Sequence, residues 1–314
     1  MNDFYHRQHE PFMLRLLAAR RRVCNEIRTM LLTGLVVGVL IPSAFSLAFM
    51  LTRLHLGYTP ERVRVLMTLC GMTSFIIVAF LMSDIQQEKR KAALIQEEYD
   101  TRLFRLPWHV GATGQPLSPA QLVRHTRPDR RLATTQGDRA GPLHRALNVP
   151  PALLVLLCQS RSLGRDALRR KRATWLLGII SGLDCLLSAL PGASIPNVPA
   201  DYLTVIALLL PICMYYGHYA SGNKRADRQE AILRNEIKQG LSRAIRTQAY
   251  DGQELEILAR RVQDGVFQCR LHGNPAPGCL VRDDEAQANR LFERMAGMLE
   301  ELIASREKSV PAAD

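Results

Sequence analysis

The chain has 314 residues, 47% of them hydrophobic and 22% charged, and its 41 Lys and Arg against 29 Asp and Glu leave a formal net charge of +12. That balance favours an anionic partner or a membrane surface. Mean hydropathy is −0.05, as in an ordinary soluble protein, but the average conceals four apolar runs: Met30–Thr52, Val65–Met82, Thr174–Leu190 and Tyr202–Tyr219. Two close pairs of such runs around a polar stretch exclude most soluble-enzyme readings.

The N-terminal region, residues 1–29, is predicted as a cytosolic helix rich in arginine (Arg15, Arg20, Arg21, Arg22, Arg28). Residues 30–82 form the first membrane hairpin, since an apolar helix needs roughly 20 residues to cross the hydrocarbon core. The first run lacks a small-residue cleavage site before Arg53, so it reads as a retained anchor. The second run is expected to continue into the cytoplasm as a helix over Asp84–Leu103 that Pro107 stops.

The insert, residues 83–173, carries 17 Lys and Arg against 8 Asp and Glu, a balance of +9. Its centre, Arg124–Arg145, reads as loop. Pro150 and Pro151 precede a buried helix start, and Gln159–Arg172 is a basic helix leading back to the membrane.

Residues 174–220 form the second hairpin. Its first run is short and contains Asp184; its second contains Pro211, expected to kink it. Residues 221–306 are a cytosolic C-terminal helical region, and residues 221–314 carry 15 charges of each sign. A stem over Lys224–Ile245, a helix over Leu255–Cys269 and an amphipathic helix over 283–305 are predicted there, followed by a frayed tail, residues 307–314. The loop Gly192–Asp201 has no Lys or Arg, whereas the leader, insert and C-terminal stem are basic. The positive-inside rule therefore puts both termini and the insert in the cytoplasm. The resulting fold class is an all-α integral membrane protein with four transmembrane helices in two hairpins.

Few residues carry evident chemistry. Seven scattered cysteines form no CxxC pair and no His/Cys cluster, so neither a metal nor a cofactor is expected. There is no GxSxG or phosphate-binding loop, and an enzyme is not expected. The GxxxG pairs Gly34–Gly38 and Gly178–Gly182 suit close helix packing, or reflect only the frequency of glycine in membrane helices. A carboxylate near a helix centre is costly in lipid, so Asp184 either lines a pore or oligomer contact, or is a neutral acid bonded to Ser181 or Ser188.

Three segments, Ile95–His109 (IQEEYDTRLFRLPWH), Leu156–Arg170 (LLCQSRSLGRDALRR) and Ile257–Arg270 (ILARRVQDGVFQCR), resemble, in order and spacing, the SMODS-associating four-transmembrane effectors. The leader RQHEPFMLRLLAARRRVCNEI is similar to that family's N-terminal helix. His109 stands where the family pattern has Asn, and Ser160 and Ser162 stand for Arg and Asn.

The resemblance implies an effector of bacterial CBASS anti-phage defence. A cyclic oligonucleotide from a partner nucleotidyltransferase would activate it at the inner membrane, to breach that membrane and abort infection. It implies membrane lipids and further copies of the chain as partners, and no DNA or RNA. Residue types suited to phosphates and base stacking in the motifs are Arg102, Arg105, Trp108, Gln159, Arg161, Arg165 and Arg169. The alternative for these is structural: Arg102 and Arg105 paired with Glu98 or Asp166, Trp108 in a core, and the basic residues topogenic. Gln263, Asp264 and Arg270 read as structural links at the helix stem. Competing functions are a membrane scaffold that recruits another toxic protein, and an oligomeric ion channel unrelated to nucleotides.

Overall fold

The computed structural model describes residues 6–57, 60–118, 120–121, 151–193, 199–247 and 252–275, together with Glu293 and Gly297, both helical. The first long helix comprises α1 (Pro11–Leu35), a π-helical turn (Val36–Leu40) and α2 (Ile41–Leu56). Pro11 opens it, where its missing N–H leaves nothing unpaired and its fixed φ suits the helix. Then come α3 (Glu61–Phe104), the short α4 (Val110–Thr113), α5 (Pro151–Ala193), α6 (Pro199–Thr247) and α7 (Gly252–His272). No strand occurs among the described residues.

The helices are longer and less divided than expected. The 44 residues of α3 rise about 66 Å, twice the thickness of a hydrocarbon core. The apolar run thus fills about half of it, and residues 83–104 extend it as one unbroken rod. Likewise α5 joins the buried start after Pro150, the basic segment Gln159–Arg172 and the third apolar run. Helix α6 runs continuously through Pro211. The helix α3 ends before Pro107 rather than at it: Arg105 adopts a left-handed conformation (φ 55°), and the Leu106 amide donates back to the Thr101 carbonyl at 2.9 Å. Both the Arg124–Arg145 centre and nearly all of the expected helix 283–305 lie outside the described residues.

Helix α3 packs on α1 and α6, α5 packs on α6, and α7 lies against α6, α5 and α3. One core joins the α1 stripe Met13, Leu16, Ala19, Val23, Ile27 and Leu31 to Val78, Met82, Ile85, Ile95 and Tyr99 of α3 and to Tyr215 and Tyr219 of α6. These positions recur at three and four residues, the period of one helix face. A second core fills the end away from the apolar runs, with Leu153, Leu156 and Leu157 of α5 against Leu233 and Ile237 of α6 and Val262 and Val266 of α7.

The outer faces of the apolar runs stay apolar and exposed, including Leu66, Phe80, Trp175, Ile179, Leu186 and Leu203. Such continuous apolar surface belongs against lipid. Among the described residues, three stretches are long and apolar enough to cross a membrane: Pro11–Leu56, Glu61–Phe104 and Tyr202–Ala244. The third run, on α5, is not among them, in keeping with its shortness and its Asp184.

Three of the four GxxxG glycines, Gly34, Gly38 and Gly178, serve packing inside the chain. A Cβ on Gly34 would lie 2.8 Å from the Tyr215 ring, and one on Gly38 would lie 2.8 Å from Val78. A Cβ on Gly178 would meet the Tyr216 hydroxyl at 3.0 Å, whereas one on Gly182 would find nothing within 4 Å. The closest approach to another helix's backbone belongs to a glycine outside either GxxxG: a Cβ on Gly71 would sit 2.4 Å from the Ala207 carbonyl oxygen. Beside it Thr68 and Thr204 share a hydrogen bond of 2.9 Å, closing the α3–α6 crossing.

Candidate functional site

The C-terminal half of α3, the N-terminal half of α5 and α7 enclose a buried polar network. On α3, Glu97 and Asp100 face α7, where Arg260, Gln263 and Arg270 share one helix side by their spacing of three and seven. The Gln263 amide donates to Glu97 at 2.7 Å and to Asp100 at 3.2 Å, and its carbonyl accepts from Gln159 at 3.0 Å. Gln159, on α5, also donates to the Ala259 carbonyl at 3.0 Å. Arg260 holds the other Glu97 oxygen at 2.7 Å, and Arg270 holds Asp100 at 2.6 Å.

Glu97 and Gln263 are both 0% exposed. Burial pushes the Glu97 carboxyl up from the ordinary range, against the pull of Gln263 and Arg260 toward the charged form. At the rim, Arg260 also pairs with Asp264 and donates to the Pro107 carbonyl at 3.0 Å, while His109 reaches Asp264 at 2.7 Å. The departure at His109 thus adds a link to the network.

Closer to the membrane lies a second buried cluster. Arg170 pairs with Asp227 at 3.0 Å and with Glu230, and burial pushes the Glu230 carboxyl up. Asn223 joins Thr174 at 2.8 Å to the Asn274 amide at 2.8 Å, and Asn274 donates to the Tyr219 carbonyl at 3.0 Å. The C-terminal end of α7 is thereby fastened where the third apolar run begins and the fourth ends. Lys89 is 2% exposed and donates to the His272 carbonyl at 3.1 Å. Burial lowers its pKa to about 8.

Two hollows flank the network. The first, about 150 Å³, lies where α1, α3, α5 and α7 meet, and Arg20, Arg28, Lys89, Gln96, Asp166 and Arg169 are among its walls. The second, about 560 Å³ and more open, lies between the N-terminal residues and the end of α3, with Arg7, Phe12, Arg102, Arg105 and Trp108 on its walls.

The residues marked as ligand contacts from the sequence are therefore not brought into one pocket. Arg102 pairs with Glu98 at 3.0 Å and stacks 4.3 Å above the Phe12 ring. Arg105 is the left-handed cap of α3. Trp108 donates to the Gly114 carbonyl at 2.8 Å and packs on Ala93, Leu94 and Phe267. Gln159 is a buried link. Arg161 is half-buried beside Cys158, Arg169 faces the first hollow, and the side chain of Arg165 lies outside the described residues.

Sequence reasoning missed Lys89 and Gln96, although both fall on the buried stripe Ile85, Lys89, Ala92, Gln96, Tyr99 and Leu103. A lysine at such a core position was the available signal. It placed Arg20 and Arg28 only as charges that orient the chain.

Asp184 faces the interior of the helical unit, 4% exposed, with neither carboxylate oxygen hydrogen-bonded to a described residue. The hydroxyls of Ser46 and Ser181 are buried and equally without partners. The Ser43 hydroxyl, beside Asp184, donates to its own Val39 carbonyl at 2.6 Å.

Among the described residues no group of His, Cys, Asp and Glu is arranged to hold a metal ion. No curated protein and no solved structure matches the chain. The family model described as the SMODS-associating 4TM effector domain matches residues 2–281, which covers all three motifs, both hollows and every apolar run. The chain belongs to the SMODS-associating 4TM effector family, and is a membrane protein of effector type.

Proposed function

We propose that the chain is the output element of a nucleotide-signalled anti-phage system, in which a cyclic oligonucleotide made by a partner nucleotidyltransferase switches it to permeabilise the bacterial inner membrane. The chain itself catalyses nothing in this reading. Both termini and the insert lie in the cytoplasm, where the messenger is made, and four apolar runs cross the membrane. One four-helix unit is too narrow to conduct, so several copies assemble around the opening.

One observation carries the proposal. The three family motifs form a single buried network at the feet of helices that run on, unbroken, into apolar runs. A charged network buried this deeply has few alternative arrangements, because each broken pair leaves a desolvated charge. Ligand binding beside it can therefore favour one discrete helix arrangement over another, and the shift is as large as the ligand's preference for that arrangement.

The reading is tested in cells that express the chain with and without an active nucleotidyltransferase of the associated class, followed with a membrane-potential dye. Depolarisation that needs the intact synthase and this chain alone is expected. Depolarisation without the synthase contradicts the messenger. Toxicity that needs a further host protein favours the scaffold reading.

A further inference from the structure

The third apolar run turns a carboxylate and a hydroxyl toward the inside of the helical unit. Ser181 and Asp184, each 4% exposed, stand three apart on the buried stripe of α5 that also holds Ala173 and Leu177. Helix α2 packs on α5 and brings Ser43 beside Asp184. Ser46, 3% exposed, follows one turn further along α2. Asp184 lies ten residues into its run and Ser43 thirteen into its own. These are depths of about 15 and 20 Å in a hydrocarbon core ~30 Å thick.

The hydroxyls at this crossing behave differently from one another. On a helix, Ser and Thr can donate to the carbonyl four residues back, and Ser43, Thr52, Thr68 and Thr174 do so at 2.6–2.9 Å. Ser46 and Ser181 do not. Among the described residues neither of their hydroxyls has another partner, nor does either Asp184 oxygen. The sequence offers no counter-charge at this depth. The first three apolar runs hold no Lys, Arg or His, and the fourth holds only His218, which bonds Gln86 at 2.8 Å.

We propose that Asp184, Ser181, Ser46 and Ser43 bind a small monovalent alkali cation between α2 and α5. A proton on Asp184 answers for one oxygen alone, whereas a hard cation draws carboxylate and hydroxyl oxygens together. Ser43 can join because its hydroxyl has given away its proton and keeps its lone pairs. The single carboxylate sets the charge of the ion. A monovalent cation leaves the site neutral, and a divalent one would leave a charge uncompensated in hydrocarbon. The third run is the shortest of the four, and the bound ion ties it to α2. Ion binding therefore stabilises the packed arrangement of the spans.

The test uses the full chain in nanodiscs. Its melting temperature is read in ~150 mM lithium, sodium or potassium chloride against N-methylglucamine chloride of the same ionic strength. Asp184→Asn, Ser181→Ala and Ser46→Ala are compared with Asp84→Asn, whose residue is exposed. The readout is the shift on adding the ion, because removing a buried carboxylate can itself raise the melting temperature.

A rise of roughly 3–6 °C with at least one alkali ion is expected in the native chain. It should persist in Asp84→Asn, vanish in Asp184→Asn and shrink in both serine variants. The ion that gives the largest shift is then the occupant. No shift with any of the three ions overturns the site and leaves Asp184 a neutral acid. A shift that survives in Asp184→Asn also overturns it, because the ion then binds elsewhere. If Asp184→Asn does not fold, as size exclusion will tell, the serine variants decide: an undiminished shift in both contradicts the proposal. No nucleotide enters any arm, so the function proposed above stands or falls separately.

Discussion

Gln263 on α7 donates to Glu97 on α3 at 2.7 Å, across 166 residues of sequence, with both residues closed to solvent. Every polar atom of the Gln263 side chain is engaged, since its carbonyl accepts from Gln159 and its amide also reaches Asp100. This one side chain joins all three motifs.

Replacement of Gln263 by Ala should therefore cost more than its lost packing. It removes a donor from buried Glu97 and an acceptor from buried Gln159, and each orphaned group costs about 1–3 kcal/mol. A loss on the order of 3–5 kcal/mol follows, read as a fall in melting temperature of the detergent-solubilised chain. Asp264→Asn, at the more exposed rim, should cost less than half of that.

Lys89 gives a signature in pH. Its pKa is about 8 in the folded chain against 10.5 for the ordinary side chain. Between those values the unfolded chain holds a proton that the folded chain has released, so this group makes stability rise with pH across that window. The contribution is complete above 10.5 and is lost as pH falls through 8. Tyr99, Cys158 and Cys269, each pushed up to about 12 by burial, act in the opposite sense at alkaline pH. The measurement is therefore the difference in stability between the native chain and Lys89→Met from pH 8 to 10.5. A rise specific to the native chain of about 3 kcal/mol is expected.

The helix crossings can be tested with two glycines. Gly71→Ala places a Cβ 2.4 Å from a backbone oxygen of α6, which cannot rotate away, so α3 and α6 must separate. A loss of at least 1–3 kcal/mol is expected, as for overpacked cores. Gly182→Ala meets nothing within 4 Å and should leave the melting temperature unchanged or slightly higher. If Gly182→Ala instead disrupts oligomers in crosslinking, that face packs against another copy.

Much of this architecture was legible in advance because apolar length and helical period are strong signals. The helices around Val65–Met82 and Leu255–Cys269 follow from them directly. What the chain did not disclose is continuity: Gln159–Arg172 is basic and looked separate, yet it is the middle of α5. The site was legible as motifs but not as geometry. Gln159 and Gln263 carry no charge pattern to announce that they bond across 104 residues. Arg102 and Arg169 have the same chemistry in sequence and face different hollows in space. Lys89 escaped notice because its helix looked like an ordinary charged rod, and only its position on the buried stripe sets it apart.

Asp184 distinguishes packing from output. Its carboxylate is buried without a hydrogen-bond partner among the described residues, so Asp184→Leu removes a costly group without opening a cavity. Expression and melting temperature should be kept or improved. Ligand-triggered leakage should nevertheless fall at least tenfold if the open state exposes this carboxylate to passing ions. Unchanged leakage would assign Asp184 a local structural role.

The central claim is that a nucleotide signal on the cytosolic side opens the membrane through this chain alone. Its most direct test is dye release from liposomes containing the purified protein, with and without a panel of cyclic oligonucleotides. The account predicts no release without nucleotide and rapid release with one of them. Release that is independent of nucleotide, or a nucleotide that binds tightly yet releases no dye, would contradict it.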